Sequence, residues 1–224
     1  MTDNPLVLLG AFPLAAYAIG SIPSGFLIAR GHGIDLRTRG SGNVGATNVG
    51  RVVGRKWGYL CFVLDVLKGF LPVLLAGLYL RQLRQGGQAQ PSVYHQLAWL
   101  AVAFGAIAGH VFTFWLRFHG GKGVATSLGV LLGIYPYFTF PGLAALGVWI
   151  VVTLVSRYVS LGSIIAAMAF LPLFAVFNWP TRKLWPLGVF AAAVAVLVIV
   201  RHRTNISRLL AGTENKIGRH NAHG

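Results

Sequence analysis

The sequence predicts an all-α integral membrane protein with seven transmembrane helices, built as a single polytopic domain over residues 1–224. Three observations predict this class and its orientation. Of the 224 residues, 55% are hydrophobic and only 10% are charged, a balance typical of membrane proteins. The apolar residues collect into runs that approach the about 20 residues needed to cross a bilayer. The basic residues between these runs are unevenly distributed, and this predicts which side each connector occupies.

Six apolar runs have near-spanning length and one is shorter. The long runs cover residues 6–28, 58–80, 97–116, 138–155, 160–178 and 184–200. The short run, residues 123–135, is long enough for a tilted or partly inserted helix and marginal for a full crossing. Counting it as a crossing gives seven spans.

The polar connectors then alternate between two sides of the membrane. The first set comprises residues 30–57, 117–122, 156–159 and 201–224, and the second comprises residues 81–96, 136–141 and 179–183. The first set holds fourteen of the 19 Lys and Arg residues and the second holds four. Because cytoplasmic connectors carry the basic excess, the first set is predicted to be cytoplasmic, with the N-terminus outside and the C-terminus inside. Without the short crossing, the later connectors would swap sides and this asymmetry would be lost.

The composition also argues against several classes of function. The chain has four carboxylates, none close in sequence to another, which argues against a paired-carboxylate hydrolase or a two-metal site. No His or Cys residues have metal-ligand spacing, so no metal or cofactor is expected. The net charge of +15 could attract nucleic acid, but an apolar body with basic connectors favours anionic lipids or anionic substrates. Nucleic acid is therefore not an expected partner.

Three segments rich in glycine, basic residues and hydroxyl or amide groups lie in or beside the predicted cytoplasmic connectors. They are residues 40–48, 118–126 and 202–205. Backbone N–H groups at helix starts, together with Lys and Arg, bind phosphate. Since all three segments are predicted on one side of the membrane, they predict a shared anion site.

The first segment has the pattern G-x-G-x-x-G at Gly40, Gly42 and Gly45. A dinucleotide-binding fold is rejected because a membrane helix, rather than a strand, precedes it. The glycines still allow the backbone to approach a phosphate closely. The other predicted site residues here are Ser41, Asn43, Ala46, Thr47 and Asn48, with Arg51 about one helical turn later. A flexible re-entrant loop with incidental hydroxyls is the alternative.

The second segment places Gly121, Lys122 and Gly123 at a predicted helix start. It is not a P-loop, since that motif needs Ser or Thr directly after the Lys. A Lys on bare backbone at the positive end of a helix dipole favours an anion. The alternative is a Lys that only reaches toward the membrane interface.

The third segment follows the last apolar run and contains His202 and Asn205. A His at the interface can take a proton from an alcohol near neutral pH. The alternative is a basic flank that merely ends the span. Ser160, in a short turn on the same predicted side, could reach the same anion or simply cap its helix.

Two charged residues, Asp65 and Lys68, lie three positions apart within the second span, so they share a helix face and can pair. Charges inside a membrane face the protein interior. We interpret the pair as structural support for the first loop rather than as chemistry. His110, within the third span, is interpreted as an interhelical donor or as a group that supports the site.

Further residues complete the pattern: residues 21–25, Asp35 and Arg37, Asp65-x-x-Lys68-Gly69, Gly109-His110, residues 120–126, and His202-Arg203-x-Asn205-Ile206-x-Arg208-Leu209 through Gly212-x-Glu214. In this order they resemble the bacterial acyl-phosphate:glycerol-3-phosphate acyltransferases over nearly the whole chain. Val44 stands where loops of this family often have Pro, a change that removes no hydrogen-bond donor.

The resemblance implies transfer of an acyl chain from acyl phosphate to the 1-hydroxyl of glycerol 3-phosphate, giving lysophosphatidic acid and phosphate. Residues 40–48 would hold the phosphate of acyl phosphate. Glycerol 3-phosphate would be surrounded by Arg51, Lys122, Ser160, His202 and Asn205, and Glu214 would be structural. The implied location is the bacterial inner membrane, with the site facing the cytoplasm and a functional link to the enzyme that produces acyl phosphate.

Acyl phosphate is already activated, so no acyl-enzyme is needed, and the basic site offsets the repulsion between two anions. Ser41 or backbone N–H groups would hold the oxyanion. His202 or the leaving phosphate would accept the proton, with Asn205 beside the reacting groups. Two other classes of function stay open from the residues alone: an anion or phosphoester transporter, and a structural membrane subunit.

Overall fold

The computed structural model describes residues 3–83, 90–179 and 182–217, and every regular element in these ranges is a helix. The α-helices of this part are α1 (Phe12–Gly20), α2 (Ser24–Arg30), α3 (Ala46–Val52), α4 (Arg55–Leu83), α5 (Val93–Val111), α6 (Val124–Gly133), α7 (Thr139–Ser156), α8 (Val159–Asn178), α9 (Trp185–Arg201) and α10 (Arg203–Leu210). A π-helical turn, Val7–Ala11, leads into α1. The predicted all-helical class is confirmed for the part of the chain described.

Five stretches within the described residues are long and apolar enough to cross a membrane: Val7–Arg30, Arg55–Leu83, Val93–Leu116, Thr139–Ser156 and Val159–Asn178. A sixth is formed if α9 and α10, which meet at a 55° bend, count as one span. The short run forms α6, which has 10 residues and is about 15 Å long, half of the bilayer's hydrocarbon thickness. Seven crossings and the sides of the termini therefore stay predictions. Both chain ends, and residues 84–89 of one predicted outer connector, lie outside the described residues.

The first span is broken between α1 and α2, where Pro23 cannot donate a backbone hydrogen bond. The exposed carbonyls at the break find other donors. The Ile22 carbonyl accepts from Ser24 N at 3.0 Å and from Lys68 Nζ at 2.8 Å. The Ser21 carbonyl accepts from Thr113 Oγ1. These bonds fix α2, and hence the start of the first loop, to α4 and to the end of α5.

Glycines allow the helices to approach until their backbones touch. A Cβ on Gly129 of α6 would lie 2.0 Å from the Val66 carbonyl oxygen of α4, and one on Gly69 would lie 2.2 Å from the Thr126 oxygen. Between α1 and α5, a Cβ on Gly109 would lie 2.3 Å from the Tyr17 oxygen. Small residues at such contacts are the usual way in which membrane helices pack, because no hydrophobic driving force exists in lipid.

The bundle has two distinct ends. At the end that we call the polar end, α5, α7 and α9 finish and α6 and α8 begin. Gly121 N donates to the His110 carbonyl there at 3.1 Å, and Ile217 N donates to the Arg157 carbonyl at 2.9 Å.

At the opposite end, the Gln96 amide of α5 donates to the Lys183 carbonyl at 2.9 Å. Asn178, the last residue of α8, donates to the Tyr137 carbonyl at 3.0 Å. Tyr137 comes shortly after α6, so the chain between Gly121 and Tyr137 joins the two ends of the bundle.

The contact between α4 and α6 generates a prediction about stability. Gly129→Ala should lower the melting temperature of the detergent-solubilised protein by several degrees, because the added methyl meets backbone and overpacking costs about 1–3 kcal/mol. Gly147→Ala in α7 is the matched control, since nothing lies within 4 Å of its Cβ position. It should leave the melting temperature unchanged or raise it slightly. Equal effects of the two substitutions would contradict the close contact.

Candidate functional site

Residues from two of the predicted segments and from α8 contact one another at the polar end. Lys122 Nζ donates to Asn205 Oδ1. The other side of that amide, Asn205 Nδ2, donates to Glu214 Oε1 at 2.6 Å, and Ser160 Oγ donates to the same oxygen at 2.9 Å. The predicted residues Lys122, Ser160 and Asn205 therefore lie together around Glu214, for which the resemblance implies a structural role.

Glu214 is the centre of this group, and its side chain is buried, with only 7% of it exposed. Its other oxygen, Oε2, accepts from Arg208 Nε at 2.7 Å. Burial by itself would raise the pKa of this carboxyl, but the hydrogen bonds from Arg208, Asn205 and Ser160 hold the pKa below its ordinary 4.5. The carboxylate is thus ionised at neutral pH and orients three side chains.

Cations outnumber this carboxylate. Lys122 interacts electrostatically with Glu214 and with Arg208, Arg201 and Arg51. Burial, reinforced by the three guanidinium groups, lowers the pKa of the Lys122 ammonium from 10.5 to about 8, and Glu214 opposes the shift. Four cations around one carboxylate leave a positive surplus, which a bound anion can neutralise.

Arg51 connects the first segment to the other two. It lies on α3 and interacts electrostatically with Glu214 and Arg208. Its side chain is exposed, and within the described residues it makes no salt bridge to a carboxylate. It is therefore available to an anion at the polar end.

The first loop is held by one side chain. Asn48 is 2% exposed; its Oδ1 accepts from Ser41 N at 2.9 Å, and its Nδ2 donates to the carbonyls of Asn43 and Arg39 at 2.8 and 3.1 Å. Gly40 has φ +62 and passes so close to Asn48 that a Cβ would lie 2.2 Å from Oδ1. The amide of Asn48, predicted to bind substrate, is thus engaged within the loop that it shapes.

Further backbone N–H groups of the first loop have partners nearby: Gly42 N donates to the Arg39 carbonyl at 3.1 Å. Gly42 has φ +71, and Gly45 N donates to Asn43 Oδ1 at 2.8 Å, immediately before α3. Ser41 and Thr47 have exposed side chains. Ala46 is the first residue of α3, and N–H groups in the first turn of a helix have no acceptor within it.

The glycine turn before α6 lies directly on the end of α5. A Cβ on Gly121 would be 2.2 Å from His110 Nε2, and one on Gly120 would be 2.0 Å from the His110 carbonyl oxygen. Arg201 at the end of α9 donates to the carbonyls of Gly120 and Gly121 at 3.3 and 3.0 Å. Gly123 has φ +86 and leads into α6. Lys122 is therefore presented by a turn fixed on both sides.

His202 lies at the bend between α9 and α10 and is 3% exposed. Its Nδ1 lies 2.7 Å from the Val198 carbonyl oxygen. Because a carbonyl only accepts, Nδ1 must carry the hydrogen in this bond, and Nε2 is left with its lone pair in the neutral ring. The ring is oriented and can accept a proton at Nε2.

The structure brings some of the predicted site residues into one group but not all of them. Contacts join Lys122, Ser160 and Asn205, electrostatics adds Arg51, and His202 lies in the same segment as Asn205. No hydrogen bond between described residues joins Ser41 to this group. Within the described ranges no three His, Cys, Asp or Glu side chains are grouped to hold a metal ion.

Sequence reasoning missed the central position of Glu214 and the roles of Arg201 and Arg208. The motif that runs from His202 to Glu214 contained the signal for Arg208. The bond from Arg201 to the glycine turn spans about 80 positions in the chain and has no local signature.

Comparisons with known proteins agree with one another. A family model described as glycerol-3-phosphate acyltransferase matches residues 10–212. A glycerol-3-phosphate acyltransferase of Trichlorobacter lovleyi is 49% identical over 208 residues, which cover 92% of this chain and 97% of the relative. That of Geobacter sulfurreducens is 48% identical over 214 residues, which cover 95% and 97%.

Solved structures resemble the fold as well. A crystal structure of PlsY, described as an integral membrane glycerol 3-phosphate acyltransferase in its glycerol 3-phosphate form, matches with a TM-score of 0.79 and 38% identity, over 93% of this chain and 94% of that one. A second form of PlsY, with lysophosphatidic acid, matches with a TM-score of 0.77 and 37% identity over the same shares.

The hydrogen bonds of Asn48 generate a prediction about the first loop. Asn48→Ala should loosen the loop and increase trypsin cleavage after Arg39 about tenfold, because buried carbonyl and N–H groups lose partners worth about 1–3 kcal/mol. Thr47→Ala, whose side chain is exposed, is the control and should be cleaved at the wild-type rate. Equal cleavage of the two variants would show that Asn48 does not hold the loop.

Proposed function

The chain belongs to the glycerol-3-phosphate acyltransferase family, and we propose that it transfers an acyl chain from acyl phosphate to the 1-hydroxyl of glycerol 3-phosphate. The products are lysophosphatidic acid and free phosphate. Acylation of glycerol 3-phosphate is the activity of the family; the donor, the position and the residue roles are the proposal. The observation that carries it is the cluster of Lys122, Asn205, Ser160 and Arg51 around Glu214.

The site faces the cytoplasm of the bacterial inner membrane, and the chain crosses that membrane seven times, with the N-terminus outside and the C-terminus inside. Two contacts support α6 as part of a crossing: Gly121 bonds to α5 at the polar end, and Tyr137 bonds to Asn178 at the opposite end. The basic excess of the connectors at the polar end supports its cytoplasmic side.

Glycerol 3-phosphate binds at the cation cluster. Lys122 and Arg51 neutralise its phosphate. Ser160 and Asn205 both donate hydrogen bonds to Glu214 in this structure, and the same polar groups offer hydrogen bonds to the substrate. An anion in this position faces a net positive charge, which offsets the repulsion from the second anionic substrate. The remaining hydroxyls of glycerol 3-phosphate point toward the membrane, where the acyl chain resides.

Acyl phosphate places its phosphate at the first loop. Residues 40–48 supply backbone N–H groups and the hydroxyls of Ser41 and Thr47, with Asn43 and Asn48 setting the shape of the loop. The glycine turn of Gly121 and Gly123 closes the other side. Acyl phosphate is a mixed anhydride that has to be supplied to the membrane. The enzyme that produces it is therefore the functional partner of this protein.

The reaction is a direct acyl transfer without an acyl-enzyme. The 1-hydroxyl oxygen attacks the acyl carbon, Ser41 or backbone N–H groups stabilise the oxyanion, and the bond to phosphate breaks. Two groups can take the hydroxyl proton: His202 through Nε2, or an oxygen of the leaving phosphate. Asn205 orients glycerol 3-phosphate, the attacking substrate, next to Lys122.

His202→Gln separates the two proton acceptors. If His202 is the base, kcat falls on the order of a hundredfold, because glutamine keeps a polar side chain but cannot take the proton. If phosphate is the acceptor, kcat stays near the wild-type value and only the KM for glycerol 3-phosphate rises. His119→Gln, at an exposed histidine of the connector before α6, is the control for a general effect of losing an imidazole.

The lowered pKa of Lys122 predicts a pH dependence. A lysine with a pKa of about 8 is charged below that pH and loses its charge above it, so kcat/KM for glycerol 3-phosphate should fall as pH rises through about 8. In the Lys122→Arg variant, kcat/KM expressed relative to that variant's own maximum should not fall at alkaline pH, because a guanidinium stays charged. If kcat/KM fell at the same pH in the wild-type protein and in Lys122→Arg, the fall would have to be assigned to another titrating group.

The donor is tested directly with purified protein in detergent or vesicles. Radiolabelled glycerol 3-phosphate should be converted to lysophosphatidic acid with acyl phosphate and not with acyl-CoA. Lys122→Ala should chiefly raise the glycerol 3-phosphate concentration required. Conversion with acyl-CoA alone would contradict the proposed donor, and an unchanged requirement in Lys122→Ala would contradict the anion assignment.

A further inference from the structure

Two charged side chains that the proposed mechanism does not use lie inside the helical bundle. Asp65 and Lys68 are about 15 and 20 Å along α4 from Arg55, and their side chains are 3% and 7% exposed. Lys68 Nζ lies 2.9 Å from Asp65 Oδ1. Such a pair costs desolvation energy that apolar side chains of the same size would not, so stability alone does not account for it.

Lys68 has a second contact, with the break in the first span. It donates to the Ile22 carbonyl at 2.8 Å, beside the Ser24 N–H that already donates to the same oxygen. The break is where α2 begins, and α2 leads into the first loop. Gly25 of α2 lies so close to that loop that a Cβ would be 2.0 Å from the Val44 carbonyl oxygen. Lys68 therefore holds the helix on which the first loop rests.

Asp65 has a second contact as well, with the end of α5. His110 Nδ1 lies 3.7 Å from Asp65 Oδ1, and the His110 side chain is 7% exposed. The other ring nitrogen faces the glycine turn, where Gly121 leaves no room for a Cβ. The His110 carbonyl accepts from Gly121 N at 3.1 Å. His110, which packs beside Asp65, is therefore the side chain against which the turn before Lys122 lies.

These contacts meet at one cleft. Its lining includes the break at residues 21–25, Val44 of the first loop, the Asp65–Lys68 pair, His110, and the turn at Gly120 and Gly121. The two segments that hold the two phosphates in the proposed function thus approach each other across one buried group of charges.

We propose that Asp65, Lys68 and His110 are positioning residues that hold the first loop and the glycine turn at a fixed separation. This inference rests on the proposed function, in which each segment holds one anionic substrate. None of the three residues needs to touch a substrate. The spacing matters because a displacement of about 1 Å between reacting groups can lower a rate about a hundredfold.

The separation itself can be measured by pulsed electron paramagnetic resonance between spin labels on Thr38→Cys and His119→Cys. Both positions are exposed and lie beside the two segments, whereas the native Cys61 is fully buried and stays unlabelled. The wild-type background should give one narrow distance distribution. Lys68→Met, which removes the bonds to Ile22 and Asp65, should broaden or shift it, and Lys68→Arg should restore most of it.

The matched control is Gln96→Leu. Gln96 is also fully buried and donates to two carbonyls, those of Pro91 and Lys183, but at the opposite end of the bundle. Gln96→Leu should lower the melting temperature and leave the distance between the labels unchanged. Its kcat/KM per folded molecule should stay within about twofold of the wild-type value. Lys68→Met should lower kcat/KM about a hundredfold, far beyond the fraction of protein unfolded.

If Lys68→Met does not fold, the double variant Asp65→Leu with Lys68→Met removes both charges and leaves neither unpaired. It should show the same broadened distance and the same loss of kcat/KM. A label distance in either variant equal to that of Gln96→Leu would overturn the positioning role. A wild-type protein that cannot use acyl phosphate would refute the proposed function instead, because the distance measurement does not depend on catalysis.

Discussion

The hydrogen bonds to the Glu214 carboxylate are the interaction on which the candidate site depends. One buried carboxylate receives Ser160 from α8 together with Asn205 and Arg208 from α10, and Asn205 in turn receives Lys122 from the turn before α6. Without this charge the cations gathered at the polar end would repel one another. With it they stay close while keeping a positive surplus, which suits the two anionic substrates of the proposed reaction.

The membrane imposes the second constraint. Backbone groups that leave a helix at membrane depth need internal partners, so the irregular segments occur only where other elements provide them. The break in the first span is joined to α4 through Lys68, and the glycine turn is joined to α5 and to Arg201. The same contacts that satisfy the backbone also fix the two segments that we propose face the substrates, so folding and the geometry of the candidate site have a common cause.

The helical fold could be predicted from the sequence because hydropathy reflects local composition. The runs 138–155 and 160–178 correspond to helices Thr139–Ser156 and Val159–Asn178, within one residue at each end. Hydropathy did not reveal the bend at His202 or the break at Pro23, and the bonds that hold the break come from Thr113 and Lys68, which are distant in the sequence. Likewise, G-x-G-x-x-G marked the first loop, but only the structure reveals that Asn48 holds it from within.

Burial, reinforced by the neighbouring guanidinium groups, lowers the pKa of Lys122 to about 8, and a bound anion should raise it again. Calorimetric titration of the protein with glycerol 3-phosphate at pH 8, in buffers of different ionisation enthalpy, measures the protons exchanged on binding. Uptake of about half a proton is predicted, since the bound dianion raises the pKa of a half-protonated lysine. Lys122→Arg should show none. The absence of uptake in the wild-type protein, or the same uptake in both proteins, would contradict the account.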